Sequence, residues 1–268
     1  MSAVSKLMHQ CSLLEKQFVS LLPDFRVICL DEADSTNRVL MREFREAPAP
    51  AFCIANTQTD GYGQRGREWI SNSDSLTFSL LLHCPLPLHR IDGLTQIIAL
   101  CLINSLKVFS DQCFTVKWPN DVYFDGSKVA GILVESLQYS DEDAWLIIGV
   151  GLNVMSADQD KKTFLSDDFE AEFVQFTDFT MINEFLVLFA SHVNNLLRQF
   201  TDNTFANYLS EYASMDYFSL GEKVIVYDNG QPLHAIYQGV NKVGELMVDI
   251  DGSLKYYRNG SVSIRPLV

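Results

Sequence analysis

In the run from Ala144 to Val154, AWLIIGVGLNV, Asn153 carries the only polar side chain. A strand this apolar has no face to turn toward water, so the fold has to place a covering layer on both sides of the sheet that holds it. Helices for those layers are legible elsewhere. Apolar side chains at helical spacing run from Val4 to Leu22, where Pro23 stops the pattern. A second such stretch follows Asp34 or Ser35, either of which can cap a helix reaching about Arg45. Ile91 to Ser110 is apolar on a broad helical face. After Thr180, Phe185, Phe189, Val193, Leu196 and Phe200 recur at the spacing of an amphipathic helix.

Further strands are expected at Arg26 to Leu30, at AFCIANTQ from Ala51, at LTFSLLLH from Leu76 and at KVAGILVES before the apolar run. Leu76, Phe78, Leu80 and Leu82 alternate, which predicts one buried face. The acidic stretch from Met155 to Phe179 has no period and reads as loop. Near Ser219 the texture changes to short strands punctuated by Asn229-Gly230, Asp251-Gly252 and Asn259-Gly260, dipeptides suited to hairpin turns. A small antiparallel barrel of about five strands is expected there. The chain thus reads as an α+β protein, with residues 1–217 forming the larger domain and residues 218–268 an all-β appendage.

Lys and Arg total 20 against 34 for Asp and Glu, and the resulting charge of −14 repels a phosphate backbone, which argues against general nucleic-acid binding. Clustered arginines inside so acidic a chain therefore carry more meaning, and Arg65 and Arg67 form such a cluster. The cysteines at 11, 29, 53, 84, 101 and 113 include no CxxC pair, and several sit in apolar runs. Reduced, buried thiols are expected, with neither a zinc site nor a disulfide framework. No apolar run suits a signal peptide or a membrane helix, so the default expectation is a cytoplasmic protein without a membrane partner.

Four segments can carry chemistry. In GYGQRGREW, Gly61 to Trp69, the glycines imitate a dinucleotide fingerprint, but no helix pattern follows Gly66. They also imitate a phosphate-binding loop, but Arg67 and Glu68 stand where Lys and Ser or Thr are required. What remains is a loop whose backbone can approach an anion, with guanidinium forks at Arg65 and Arg67; an ordinary surface loop is the alternative. In KWPNDVYFDGSKVAGILVE, Lys117 ends a short strand and Lys128 begins the next, so both ammonium groups can share a sheet edge. A solvated strand end and a buried Trp118 is the plainer reading. In GVGLN, Gly149 and Gly151 leave room beside a strand and Asn153 offers an amide, though a bulge has the same signature. DSTN, Asp34 to Asn37, is a helix cap or a cluster of ligand groups.

Together, DSTN, Gln58 with GYGQRGREW, KWPND followed by KVAGILVE, and GVGLN resemble the catalytic domain of the biotin-protein ligase family over about Glu32 to Asn153, with a weaker similarity in the terminal strands. KWPND with AGILVE is the most specific pair. The resemblance implies a central mixed sheet with flanking helices, of the class II synthetase-like, biotin/lipoate ligase-like kind, and a small SH3-like C-terminal domain. It implies an enzyme that joins biotin to AMP using ATP and magnesium and passes it to a lysine of a biotin carboxyl carrier protein, as a monomer or homodimer. It also places Ser35, Thr36, Asn37 and Gln58 on biotin, together with Gly61, Tyr62, Gly63, Gln64, Gly149 and Gly151. Lys117, Arg65 and Arg67 become the catalytic cations, and Trp69, Asn120, Lys128 and Asn153 lie near the nucleotide. Tyr62 and Gln64 stand at positions where the family's arginine-rich pattern, GRGRRGR, carries arginine, so fewer charges face the phosphates. Residues after Asn153 give no match to the family's adenine loop. A lipoate ligase and a non-catalytic biotin binder are the neighbouring alternatives. A biotin-responsive repressor is disfavoured by the charge and by the roughly 30 residues before DSTN, too few for a winged helix-turn-helix.

Overall fold

The computed structural model describes residues 11–46, 48–71, 75–155, 172–201 and 204–267. A mixed sheet runs in the order β1 (Arg26–Ala33), β2 (Ala51–Gln58), β3 (Ser75–Cys84), β7 (Ala144–Met155), β6 (Ser127–Tyr139), β5 (Asp121–Phe124), β4 (Thr115–Lys117). Only β1 and β2 are parallel along this path, and the two-residue β8 (Val174–Gln175) pairs beside β7 in parallel. The expected first helix is α1 (Cys11–Leu21), with its earlier residues outside the described ones. The other helices are α2 (Thr36–Glu46), α3 (Leu94–Leu106), α4 (Ile182–Arg198) and α5 (Thr204–Ser214). The stretch expected as loop contains β8, and residues 156–171 of it lie outside the described residues.

The central apolar strand has its two layers. On one face α1, α3 and α4 enclose the larger core, where Phe18 meets Phe52 with ring centroids 4.7 Å apart and Phe78 meets Phe189 at 5.8 Å. On the other, α2 lays Val39 and Leu40 over Ala51, Cys53, Leu81 and Ile147. The alternation in β3 places Leu76, Phe78, Leu80 and Leu82 in the larger core as expected, but the intervening Thr77, Ser79 and Leu81 are buried too.

A separate five-stranded antiparallel sheet follows, in the order β12 (Ser253–Tyr257), β11 (Leu246–Ile250), β10 (Gln231–Val240), β9 (Lys223–Asp228), β13 (Val262–Pro266), the SH3-like unit. Asn229 and Gly230 join β9 to β10 with φ of 47° and 80°, and Asp251 and Gly252 join β11 to β12 with 52° and 79°, the left-handed pairs a two-residue hairpin needs. The unit docks on the larger domain where Trp118 Nε1, just beyond β4, and Gln96 Nε2, on α3, both donate to Gly244 O, at 3.0 and 3.1 Å.

Cys11 and Cys29 are joined by a disulfide, with Cα atoms 6.4 Å apart, which overturns the expectation of six reduced thiols. The turn at Pro23 folds α1 back along β1 and brings the two together across 18 residues, a proximity that spacing alone does not reveal. Of the four free thiols, Cys53 and Cys84 are buried, while Cys113 is exposed, contrary to expectation. Burial pushes the Cys53 thiol up to about 12, leaving it unreactive. No helix among the described residues is long and apolar enough to cross a membrane.

Asp216, between α5 and β9, accepts from the Tyr237 phenol of the small sheet. Burial pushes its carboxyl up to about 6, against the opposing pull of that hydrogen bond and of backbone N–H groups. The folded chain therefore binds a proton there more tightly than the unfolded one. Stability from this group is full below the ordinary carboxylate pKa of about 4 and is lost as pH rises through 6, by up to about 3 kcal/mol. Asp216→Asn keeps an acceptor for Tyr237 and should flatten that slope in urea titrations between pH 4 and 7. An unchanged slope would remove Asp216 as its source.

Candidate functional site

Where α2 ends its cover, the same sheet face becomes small and polar. Thr77 and Ser79 of β3 sit opposite Gly151 and Gly149 of β7, and Gly151 sits opposite Gly131 of β6. These positions share one face because side chains alternate along a strand. Three adjacent glycines leave a hollow above the sheet, the floor of a cleft of about 400 Å³. The Trp69 indole lies on Gly151, so close that a Cβ there would overlap its ring atoms.

The inner end is lined by uncharged side chains whose hydrogen-bond network ends on one carboxylate, Glu135. Ser35 begins α2 by accepting from Val39 N at 2.9 Å, and Ser35, Thr36 and Asn37 are buried. Thr36 donates through N and Oγ1 to Gln58 Oε1, at 2.8 and 3.1 Å. Ser79 Oγ donates to Asn37 Oδ1 at 2.6 Å, and Asn37 Nδ2 donates to Glu135 Oε2, also at 2.6 Å. Tyr62 donates its phenol to the same carboxylate oxygen at 2.8 Å while Arg38 lies 4.8 Å over its ring. Burial and this carboxylate hold the Tyr62 phenol well above its ordinary pKa, so it stays a donor. Asp34, the first residue of DSTN, faces away from this network: Arg42 grips both its oxygens at 2.9 Å, and that pairing holds the carboxyl down at about 2.

The outer end is cationic. Lys117, Lys128, Arg67 and Arg265 line it. Lys117 Nζ donates to Tyr123 OH at 3.1 Å and stands 4.8 Å from the Tyr123 ring, 5.4 Å from Tyr217 and 6.0 Å from Phe218. Burial lowers its pKa, and Arg265, Lys128 and Arg67 lower it further against the pull of Asp121. Lys128 pairs with Asp121 at 2.7 Å and stands 5.6 Å from the Trp69 ring.

The glycine loop closes one side. Gly63 N donates to Arg67 O at 2.7 Å and Trp69 N to Gly61 O at 3.0 Å, so the loop is a narrow hairpin with Gln64–Gly66 as its tip. Of the residues singled out in the sequence, Gly61 and Asn153 do not line the cleft. Gly61 is packed against Trp69 and Gln58, and Asn153 donates to Glu172 O at 3.5 Å. Asn120 lines it, but its amide is taken by Ile132 O at 2.7 Å, which clamps β6. Arg65 also lines the cleft, but its guanidinium is turned to the small sheet, donating to Gly260 O.

Ser79, Glu135, Tyr123 and Arg265 escaped sequence reasoning. Glu135 closes the motif AGILVE and had that much signal; Arg265 lies far along the chain with no motif around it.

Residues 29–153 match the model of the biotin/lipoate A/B protein ligase family. Those residues belong to that family. The bifunctional ligase/repressor BirA of Escherichia coli is 28% identical over 253 residues, which are 93% of this chain and 77% of that protein. The biotin–[acetyl-CoA-carboxylase] ligase of Paracoccus denitrificans is 32% identical over 130 residues, 48% of this chain and 54% of its own. The biotin protein ligase of Aquifex aeolicus, solved with biotin and ATP, superposes with a TM-score of 0.71 at 26% identity, covering 90% of this chain and 99% of that one. The ligase fold therefore extends beyond the family match into the small C-terminal sheet.

Proposed function

We infer that this protein is an ATP-dependent ligase that activates biotin as biotinyl-5′-AMP and transfers it to a lysine of a biotin carboxyl carrier domain. The observation that carries the reading is the polarity of the cleft, lined by uncharged donors and acceptors at one end and by Lys117, Lys128, Arg67 and Arg265 at the other, with Arg65 at the loop tip. Biotin has that polarity, an uncharged ureido head and a carboxylate tail. Ser35, Thr36, Asn37 and Gln58 would meet the head, with Tyr62, Gly63 and Gln64 along the loop side and Gly149 and Gly151 beneath. Trp69, Asn120 and Lys128 would border the nucleotide.

In the first step a carboxylate oxygen bonds to the α-phosphorus of ATP while the bond to the leaving pyrophosphate breaks. Both reactants are anions. At about 4 Å and an effective dielectric of about 20 their repulsion is about 4 kcal/mol, so fixed cations are the central device. Lys117 and Arg67 are placed for it, and Arg265 adds a charge from the small sheet. In the second step the carrier's lysine amine attacks the acyl carbon, AMP leaves, and the amine gives up its proton. Glu68 and Asp121 are the cleft's acidic residues, and Asp121 is already paired with Lys128. No group of three or more His, Cys, Asp or Glu among the described residues forms a metal cage. This donor set fits a magnesium ion carried on phosphate oxygens, where it would neutralise charge on the leaving group.

A division into a catalytic domain, residues 1–217, and an SH3-like domain, residues 218–268, and a cytoplasmic site of action complete the reading. To test it, the protein is incubated with ATP, magnesium, a carrier domain and either biotin or lipoate, and the carrier is weighed. A gain equal to biotin less water is expected; a gain only from lipoate, or biotin binding without pyrophosphate release, would reject it.

A further inference from the structure

Arg65 is among the few residues other than glycine with a left-handed backbone, φ 61° and ψ 27°, at the tip of the loop that closes the cleft. A side chain there costs energy, so something has to hold it. Both Nε and Nη2 of Arg65 donate to Gly260 O, at 3.2 and 2.7 Å. Its neighbour Gln64 donates through Nε2 to Asn259 Oδ1 at 3.2 Å, and Asn259 Nδ2 donates to Thr95 Oγ1 of α3, also at 3.2 Å. The loop tip is thus tied to the turn between β12 and β13, and that turn is tied to a helix of the main core. Directly after the turn, Val262 to Arg265 line the cleft.

We propose that Gln64, Arg65 and Asn259 form a clasp that positions the glycine loop against the small sheet, so that Arg67 and Arg265 are held over the cleft as one unit. On this assignment Arg65 is a positioning residue, and the charge facing the phosphates comes from Arg67. The proposal deepens the ligase reading and rests on it for its kinetic consequence, but the tethering itself can be tested without any substrate.

The test is limited trypsin digestion of the full chain without ligands, reading fragments that end at Arg65 or Arg67. Asn259→Ala and Gln64→Ala should each raise the rate of those cleavages about threefold to tenfold, the scale of one lost hydrogen bond. The double variant should do no more than either single one. Asn259→Asp keeps an acceptor for Gln64 and should restore protection. In ATP titrations of pyrophosphate release, Asn259→Ala should raise KM for ATP by a similar factor while Asn259→Asp stays near wild type. Equal cleavage in wild type and both alanine variants, multiplicative effects in the double variant, or no rescue by Asp would overturn the clasp. Should Asn259→Ala fail to fold, Gln64→Ala on the loop decides alone. A wild-type protein that releases no pyrophosphate would sink the ligase reading while leaving the digestion result to judge the clasp.

Discussion

Lys117→Ala is expected to lower biotin-dependent pyrophosphate release about 100-fold to 1,000-fold, the loss typical of removing a preorganised group that meets charge in a transition state. The size follows from its setting. Arg67 and Arg265 are exposed, so water and salt weaken their fields, whereas Lys117 is half-buried among Tyr123, Tyr217 and Phe218. Ring faces stabilise an ammonium without neutralising it, so its charge remains available to a ligand. Arg67→Ala and Arg265→Ala should each cost less. Because burial and the neighbouring cations lower the Lys117 pKa, activity should fall at a lower alkaline pH than an ordinary lysine would dictate, as the ammonium loses its proton. Biotin binding, followed by calorimetry, should survive the substitution. Pyrophosphate release within tenfold of wild type would remove Lys117 from the reaction.

Most strands and most helices were legible from a period or a continuous apolar run, whereas β5 was not expected and β8 lies in a stretch that reads as loop. AWLIIGVGLNV demanded two covering layers and has them in α2 on one side and α1, α3 and α4 on the other. The alternation in β3 was also genuine, but its polar positions do not face solvent. Thr77 Oγ1 donates to Ala55 O at 3.1 Å and Ser79 bonds Asn37, so the polar side of that strand is the floor of the cleft. A pattern of alternating residues cannot distinguish water from a buried polar site. The helix α5 escaped because few of its side chains, chiefly Phe205 and Tyr212, reach the core, too sparse a stripe for a period.

For the site, local motifs gave the residues and only the fold gave their partners. DSTN taken by itself reads first as a helix cap, and Ser35 does start the helix, while Asn37 turns inward to Glu135. Arg65 and Arg67, two residues apart, looked equivalent, yet the left-handed backbone at Arg65 sends its side chain to Gly260. Arg265 joins the cations only because the small sheet docks against the large one. Contacts of that separation leave no trace in spacing.

Gly151→Val should lower adenylate formation about 100-fold with a smaller effect on folding. A Cβ at this position would overlap the Trp69 indole, whose ring has no flexible end to swing away. Displacing the indole moves the wall on which Lys128 also rests. Misplacing a substrate wall by about 1 Å costs about 100-fold in rate, and overpacking costs about 1–3 kcal/mol of stability. The two consequences can be separated with Trp69→Ala. In that background the overlapping ring is gone, so adding Gly151→Ala should leave the melting temperature of the single Trp69→Ala variant almost unchanged, although the same alanine in the wild-type chain lowers it. Gly149→Ala should act through a different neighbour, pushing Asn37 off Ser79 and Glu135, and should weaken biotin binding before it affects ATP. Equal melting losses from Gly151→Ala with and without the indole would show that the glycine is not there to seat Trp69.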